Sequence, residues 1–185
     1  HDDGSVNACF RSVLQDAGIC VSADEVDSVM GLAKPDALRV LLERRHEPEM
    51  EGELDRLHRS FVARMVDHYE RSTHVREVNG TTRTLARLRN AHLKIVIETG
   101  FDRAVASAVL RRMRWEHEGL IDALITSDDV PRGRPHPDMI HRAMEITDVR
   151  DPLLVAKVGD TPADLREGAA AGCGMVIGVT GGTHD

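Results

Sequence analysis

Val155-Ala156-Lys157-Val158-Gly159-Asp160-Thr161-Pro162-Ala163-Asp164 reads as a strand running into a loop and then a helix start. The run Leu153 to Val158 predicts a short buried strand, and Pro162 suits a first helical turn, where its missing N–H costs nothing. An acidic residue just past an apolar strand is costly unless it is paired or binds a cation. Asp160 fits a Mg²⁺ ligand, because that ion takes one or two carboxylates and keeps several waters. Asp164, a helical turn further on, comes round onto the same side and can orient those waters. The plainer account is helix capping by Thr161 or Asp164, worth about 1 kcal/mol. Capping explains one acidic group beside the strand but not two.

The surroundings of this stretch predict an α/β layout. Leu93 to Ile97, Ala123 to Thr126, Leu153 to Val158 and Met175 to Val179 are short β-rich runs. They alternate with helical stretches at Thr84 to Leu88, Ala104 to Met113, Pro137 to Ile146 and Pro162 to Ala171. That alternation points to a parallel sheet covered by helices on both faces, with ligands bound beyond the carboxyl ends of its strands. From Ser5 to about Arg76 no strand pattern occurs. Val6, Phe10, Val13 and Leu14 recur at helical spacing, Ser22-Ala23-Asp24-Glu25 has the form of a capping box, and Leu54, Leu57, Phe61, Met65 and Tyr69 form a second stripe. Residues 5–76 are therefore expected to form a helical unit and residues 77–185 the α/β unit.

Composition removes several function classes. Aromatic residues are 3% of the 185, and the net charge is -7, which disfavours recognition of nucleic acid by stacking or by phosphate contacts. An anionic substrate must be drawn in by a local site. No apolar run is long enough to span a bilayer. Cys9, Cys20 and Cys173 are an odd number without metal-ligand spacing, which suits a reducing, cytoplasmic setting.

Two other strand ends carry groups suited to an anion. Thr99-Gly100 sets a hydroxyl and a bare backbone N–H at a helix start. Asp128 to Pro137 contains Arg132 and Arg134 among turn-forming residues, and Arg134, between Gly133 and Pro135, is the better placed to hold one conformation. An ordinary strand–helix turn and a solvated basic loop are the bland alternatives. In the helical half, Met30-Gly31-Leu32-Ala33-Lys34-Pro35 puts Lys34 at a helix N-terminus. There the macrodipole disfavours a positive charge, which lowers the cost of the neutral amine that attacks carbonyls. Most helix-surface lysines are simply solvated.

Together these features resemble the haloacid dehalogenase superfamily. Thr99 looks like its second motif, Arg134 its third, and Gly159-Asp160-Thr161 with Asp164 its fourth. Arginine at the third motif, with Met30, Gly31 and Lys34 in a helical cap, resembles the phosphonatase-like branch. The resemblance implies a Rossmannoid α/β core with a parallel sheet flanked by helices, an all-helical cap domain, and Mg²⁺ as cofactor. It also implies cleavage of the C–P bond of phosphonoacetaldehyde, or of a similar 2-oxo-alkylphosphonate, through a Schiff base on Lys34 and an aspartyl-phosphate. Thr99 and Gly100 would hold phosphate oxygens, Arg134 would neutralise developing charge, Met30 and Gly31 would line the substrate site, and Asp160 and Asp164 would serve the metal.

Several departures accompany the resemblance. The first motif of the family, a hydrophobic strand ending in Asp-x-(Asp or Ala)-Gly-Thr, is not in these residues. Asp2-Asp3-Gly4-Ser5 imitates it, but His1 stands at the nucleophile position, so the nucleophilic aspartate is expected upstream of His1. Relatives also continue beyond Thr183-His184-Asp185. Ala37 stands where some phosphonatases have a histidine, Glu98 replaces a small or hydroxyl residue, and Asn79 replaces a common proline. A phosphatase acting on small phosphate esters, and a noncatalytic fragment, are the rival expectations. Relatives often dimerise through the cap, although helical stripes more often belong to an internal core.

Overall fold

The computed structural model describes residues 4–45 and 52–180. Asp2-Asp3 and Thr183-His184-Asp185 lie outside them. Four helices come first: α1 (Ser5–Asp16), α2 (Ala23–Asp27), α3 (Lys34–Arg44) and α4 (Leu54–Arg71). After α5 (Thr81–Asn90), strands and helices alternate: β1 (Val96–Thr99), α6 (Arg103–Met113), β2 (Ala123–Thr126), α7 (Asp138–Thr147), β3 (Ala156–Gly159), α8 (Pro162–Ala170) and β4 (Met175–Gly178).

Both apolar stripes of the helical half are used inside the molecule. Phe10, Val13 and Leu14 of α1 meet Leu57, Phe61 and Met65 of α4 in one cluster with Leu38, Leu41 and Leu42 of α3. All of these side chains are buried within the molecule. Val105 and Ala108 of α6 belong to the same cluster, so the helical half packs directly on the first helix after β1. The expected capping box is present at the start of α2: the Ser22 hydroxyl accepts from the Glu25 N–H, and Glu25 accepts from the Ser22 N–H.

The strands pair in parallel, as their alternation with helices requires, but among the described residues they form two two-stranded sheets, β1–β2 and β3–β4. β1 and β3 are joined by side chains instead: Lys157 of β3 forms an ion pair with Glu98 of β1. In the β3–β4 sheet Val158 is 55% and Met175 56% exposed. Two strand starts differ from the sequence pattern. Leu153 and Leu154 form a 3₁₀ turn, not strand, because the Asp151 carboxylate accepts from the Leu153 N–H while Pro152 occupies the first position. β1 begins at Val96, since Leu93 belongs to the turn closing α5, where its N–H bonds to the Leu88 carbonyl.

Asp122, just before β2, ties this region together. Its carboxylate accepts from the Ile95 N–H at 2.7 Å and from Arg89 at 2.8 Å, with Lys94 3.5 Å away. Burial alone would raise its pKa, but these partners hold it below the ordinary aspartate value of 3.8. Asp122 therefore contributes stability that is present above that value and is lost as pH falls through its depressed folded value. Asp122→Asn is expected to cost about 1 kcal/mol near neutrality and almost nothing once the pH is below the depressed folded value. Urea denaturation across pH checks this, and a pH-independent deficit would contradict the ionic account.

Candidate active site

The loops that follow β1, β2 and β3 meet a single segment of the helical half, residues Met30 to Ala33. A Cβ placed on Gly31 would lie 2.6 Å from the Thr161 hydroxyl oxygen, and one on Gly100 would lie 2.6 Å from the Leu32 carbonyl oxygen. A Cβ on Gly133 would lie 3.2 Å from Ala33 Cβ. Glycine at these places is what allows the backbones to approach so closely. Thr99-Gly100, Gly133-Arg134 and Asp160-Thr161 are thus brought under one loop, and α3 starts where that loop ends.

Lys34 is the first residue of α3 and is 5% exposed. Its ammonium nitrogen lies 5.7 Å from the centre of the Phe10 ring and 5.0 Å from that of Phe101. Two aromatic faces replace part of the hydration that burial removes. Phe10 packs on Phe61 at 4.5 Å, and Phe101 meets the Tyr69 ring edge-on at 6.1 Å, so both faces are themselves held. The Phe101 N–H donates to the Thr99 hydroxyl at 3.2 Å, which ties the Thr99-Gly100 turn to the residue whose ring faces the lysine. Asp102, next in the chain and buried, contacts His58 of α4 at 2.9 Å.

The two arginines of the loop after β2 have different fates. Arg132 stays on the surface, paired with Asp138 in the first turn of α7. Arg134 turns inward with a side chain 9% exposed. It lies 2.8 Å from Asp164 and 3.4 Å from Glu167, and it donates to the Glu98 backbone carbonyl at 3.0 Å.

Asp164 is more committed than its place in the sequence suggests. One carboxylate oxygen accepts from the Thr161 N–H at 3.1 Å and the Thr161 hydroxyl at 2.6 Å, closing a capping box on α8. The other faces Arg134 and Lys157, the latter at 3.1 Å. Burial would raise the Asp164 pKa, yet Arg134, Thr161 and Lys157 together hold it below the usual aspartate range. Capping, the plainer reading of this stretch, accounts for half of the carboxylate. The second half belongs to the ion pairs.

Lys157 and Glu167 were not singled out by sequence reasoning. Lys157 is the buried residue of β3, while its apolar neighbour Val158 faces outward. Its ammonium contacts Glu98, Asp164 and Glu167, the last at 2.8 Å. Glu167 is fully buried, and its pKa is raised by burial despite Lys157 and Arg134. A lysine inside an apolar strand run, followed ten residues later by a glutamate on the next helix, was the available signal.

Glu98, Asp164 and Glu167 bring carboxylate oxygens within 4.8 Å of one another, a spacing that a metal ion can use. Lys157 and Arg134 already offset two of its three charges, however, and a divalent cation there would have to displace a buried ammonium. Asp160 suits a cation better. It is half-buried on the loop after β3, where Mg²⁺ can keep its waters.

A cavity of about 290 Å³ lies between β1, α4 and α6, walled by Tyr69, Leu110, Met113 and Trp115, with Glu98 and Thr99 as polar members. Lys34, Arg134, Asp160 and Asp164 do not line it, but Thr99 and Phe101 do, so it adjoins the meeting point of the loops.

Loops at the carboxyl ends of parallel strands, carrying Thr99, Arg134 and Asp160 under a helical segment with a buried lysine, can be compared with known proteins. A family model for haloacid dehalogenase-like hydrolases matches residues 3–178. This chain belongs to that family. It is 31% identical over 184 residues to the phosphonoacetaldehyde hydrolase of Bacillus cereus, covering 91% of this chain and 68% of that protein. Its fold is similar to that of a phosphonoacetaldehyde hydrolase-like protein from Oleispira antarctica, with TM-score 0.83 and 22% identity over 97% of this chain and 68% of that one. A hydrolase from Pseudomonas syringae gives TM-score 0.86 and 18% identity, covering 97% and 79% of the two chains. The α/β core of haloacid dehalogenase-like hydrolases accounts for the parallel strand pairs and for the convergence of their carboxyl ends.

Proposed function

We propose that this hydrolase cleaves the C–P bond of phosphonoacetaldehyde or a similar 2-oxo-alkylphosphonate, with Lys34 as imine former. The observation that carries the reading is the placement of Lys34, buried at the start of α3 between Phe10 and Phe101, with Phe101 hydrogen-bonded through its N–H to Thr99. Similarity to phosphonoacetaldehyde hydrolases supports it. Residues 5–76 act as the cap and 77–185 as the core in this reading, in a cytoplasmic setting that suits three unpaired cysteines.

The neutral Lys34 amine adds to the substrate aldehyde, and loss of water leaves an imine that is then protonated. Breaking the C–P bond sends its electron pair into the carbon framework, giving an enamine, as the phosphoryl group passes to a carboxylate oxygen. In this reading that carboxylate is the aspartate of the family's first motif, which is not among these residues. Protonation of the enamine carbon and hydrolysis of the imine release the aldehyde and regenerate Lys34. Water attack on the acyl phosphate releases phosphate. Thr99 and the Gly100 N–H hold phosphoryl oxygens, Arg134 offsets their growing charge, and Met30 and Gly31 close the site above them. Mg²⁺, held by Asp160, would supply further charge neutralisation at those oxygens, while Asp164 keeps the Asp160-Thr161 loop in place.

Borohydride added in the presence of phosphonoacetaldehyde is expected to fix a covalent adduct on Lys34, seen by peptide mass, and Lys34→Ala is expected to lose it entirely. Imine formation does not need the phosphoryl acceptor, so trapping reports on Lys34 independently of the transfer step. A second reading has one observation in its favour: a lysine nitrogen between two aromatic faces is also the arrangement of a held ammonium. As an ammonium, Lys34 would contact the phosphate of a small phosphate ester, and no adduct would form.

A further inference from the structure

We infer that Lys157 is a positioning residue which, by neutralising Asp164 and Glu167, leaves the Arg134 guanidinium available to an incoming phosphate or phosphoryl oxygen. The inference rests on the reading of Arg134 as an anion-binding group. Lys157 and Arg134 compete for the same two atoms: Asp164 Oδ1 lies 3.1 Å from Lys157 Nζ and 2.8 Å from Arg134 Nη1, and Glu167 Oε2 lies 2.8 Å from Lys157 Nζ and 3.4 Å from Arg134 Nε. With Glu98 included, three carboxylates face two cations, so the cluster carries one negative charge in excess.

This balance decides what Arg134 can do. Without the Lys157 charge, two carboxylates would draw the guanidinium inward, and the cluster would repel an anion more strongly. The hold on Arg134 is incomplete as it stands, because Arg134 Nε makes no hydrogen bond. Lys157 is fixed by its own surroundings. A Cβ on Gly168 of α8 would lie 2.9 Å from Lys157 Cβ, so α8 presses on the lysine stem and aims it at Glu167, one residue earlier on the same helix.

Binding of inorganic phosphate to the full chain, measured by calorimetry, tests the inference. The wild type is expected to bind, Lys157→Met to bind roughly tenfold more weakly or worse, and Lys157→Arg to stay close to wild type. The double variant Lys157→Met/Glu167→Gln restores the charge balance without the lysine and is expected to recover most of the lost affinity. Urea midpoints of all four proteins accompany the binding data. If Lys157→Met does not fold, the arginine and double variants carry the test. Wild-type affinity in Lys157→Met, or a double variant as weak as the single one despite recovered stability, would show that Lys157 only packs and would overturn the inference. No phosphate binding by the wild type would overturn the anion-site reading of Arg134 itself, and this inference with it.

Discussion

Arg134→Met is expected to lower the unfolding free energy by about 3–5 kcal/mol at neutral pH, the usual cost of removing one partner from a buried ionic cluster. The side chain is 9% exposed and lies against Asp164 and Glu167, themselves 5% and 0% exposed, so solvent cannot replace it. Methionine keeps much of the volume, and the loss therefore reports charge more than cavity. The deficit should depend on pH. Burial already raises the Glu167 pKa, and removing Arg134 raises it further. A group raised in the folded state favours folding below its unfolded value and loses that contribution as pH rises through its folded value. Asp164 behaves oppositely: its pKa is depressed with Arg134 as a main cause, so the stability it gains from Arg134 is present above the ordinary aspartate value and fades in acid. Both effects make the gap between wild type and Arg134→Met widest near neutrality and narrower toward about pH 4. Urea denaturation at several pH values measures it. A deficit under about 1 kcal/mol at pH 7 would mean that Arg134 is not part of a tight ionic cluster.

What could be read from sequence was what one element encodes by itself. The Ser22 capping box depends on residues within a single turn, and Lys34 falls at the head of α3 because Pro35 suits a first turn. Arg134 was preferred over Arg132 for its rigid neighbours, and Arg132 is the one spent on a surface pair with Asp138. The Thr161–Asp164 capping box was visible as the plainer account, and it exists alongside the ion pairs.

The parts that were not legible depend on which elements meet. An apolar count over Leu153 to Val158 hides the fact that the inward residue of β3 is Lys157, because the charge becomes tolerable only once Glu98, Asp164 and Glu167 arrive from β1 and α8. Phe10 was read as one member of a core stripe. Its ring also faces Lys34, and Phe101 completes the arrangement from a loop far away in sequence. The Leu153-Leu154 turn was missed for a local reason: apolar content outweighed the Asp151-Pro152 turn signal.

Apart from changes at Lys34 itself, Gly31→Ala is expected to be the most damaging single change in the helical half for Lys34 chemistry. Gly31 has φ +88°, and its Cβ position lies 2.6 Å from the Thr161 hydroxyl oxygen and 3.1 Å from Thr161 Cβ. Two costs follow. Left-handed backbone in a residue with a side chain costs roughly 1 kcal/mol, and the contact with Thr161 must be relieved by moving one loop away from the other. Thr161 cannot easily give way, because its hydroxyl and N–H are both bound to Asp164, which is held by Arg134 and Lys157. The movement therefore falls on the Met30 to Ala33 segment and carries Lys34 with it. Gly18 supplies the control: its φ is +80°, with nothing within 4 Å of its Cβ position, so Gly18→Ala reports the backbone cost alone. Gly31→Ala should exceed Gly18→Ala by about 1–3 kcal/mol in urea denaturation, and it alone should slow borohydride trapping of Lys34. Equal losses of stability with unchanged trapping would mean that the approach of Gly31 to Thr161 does not set the position of the lysine.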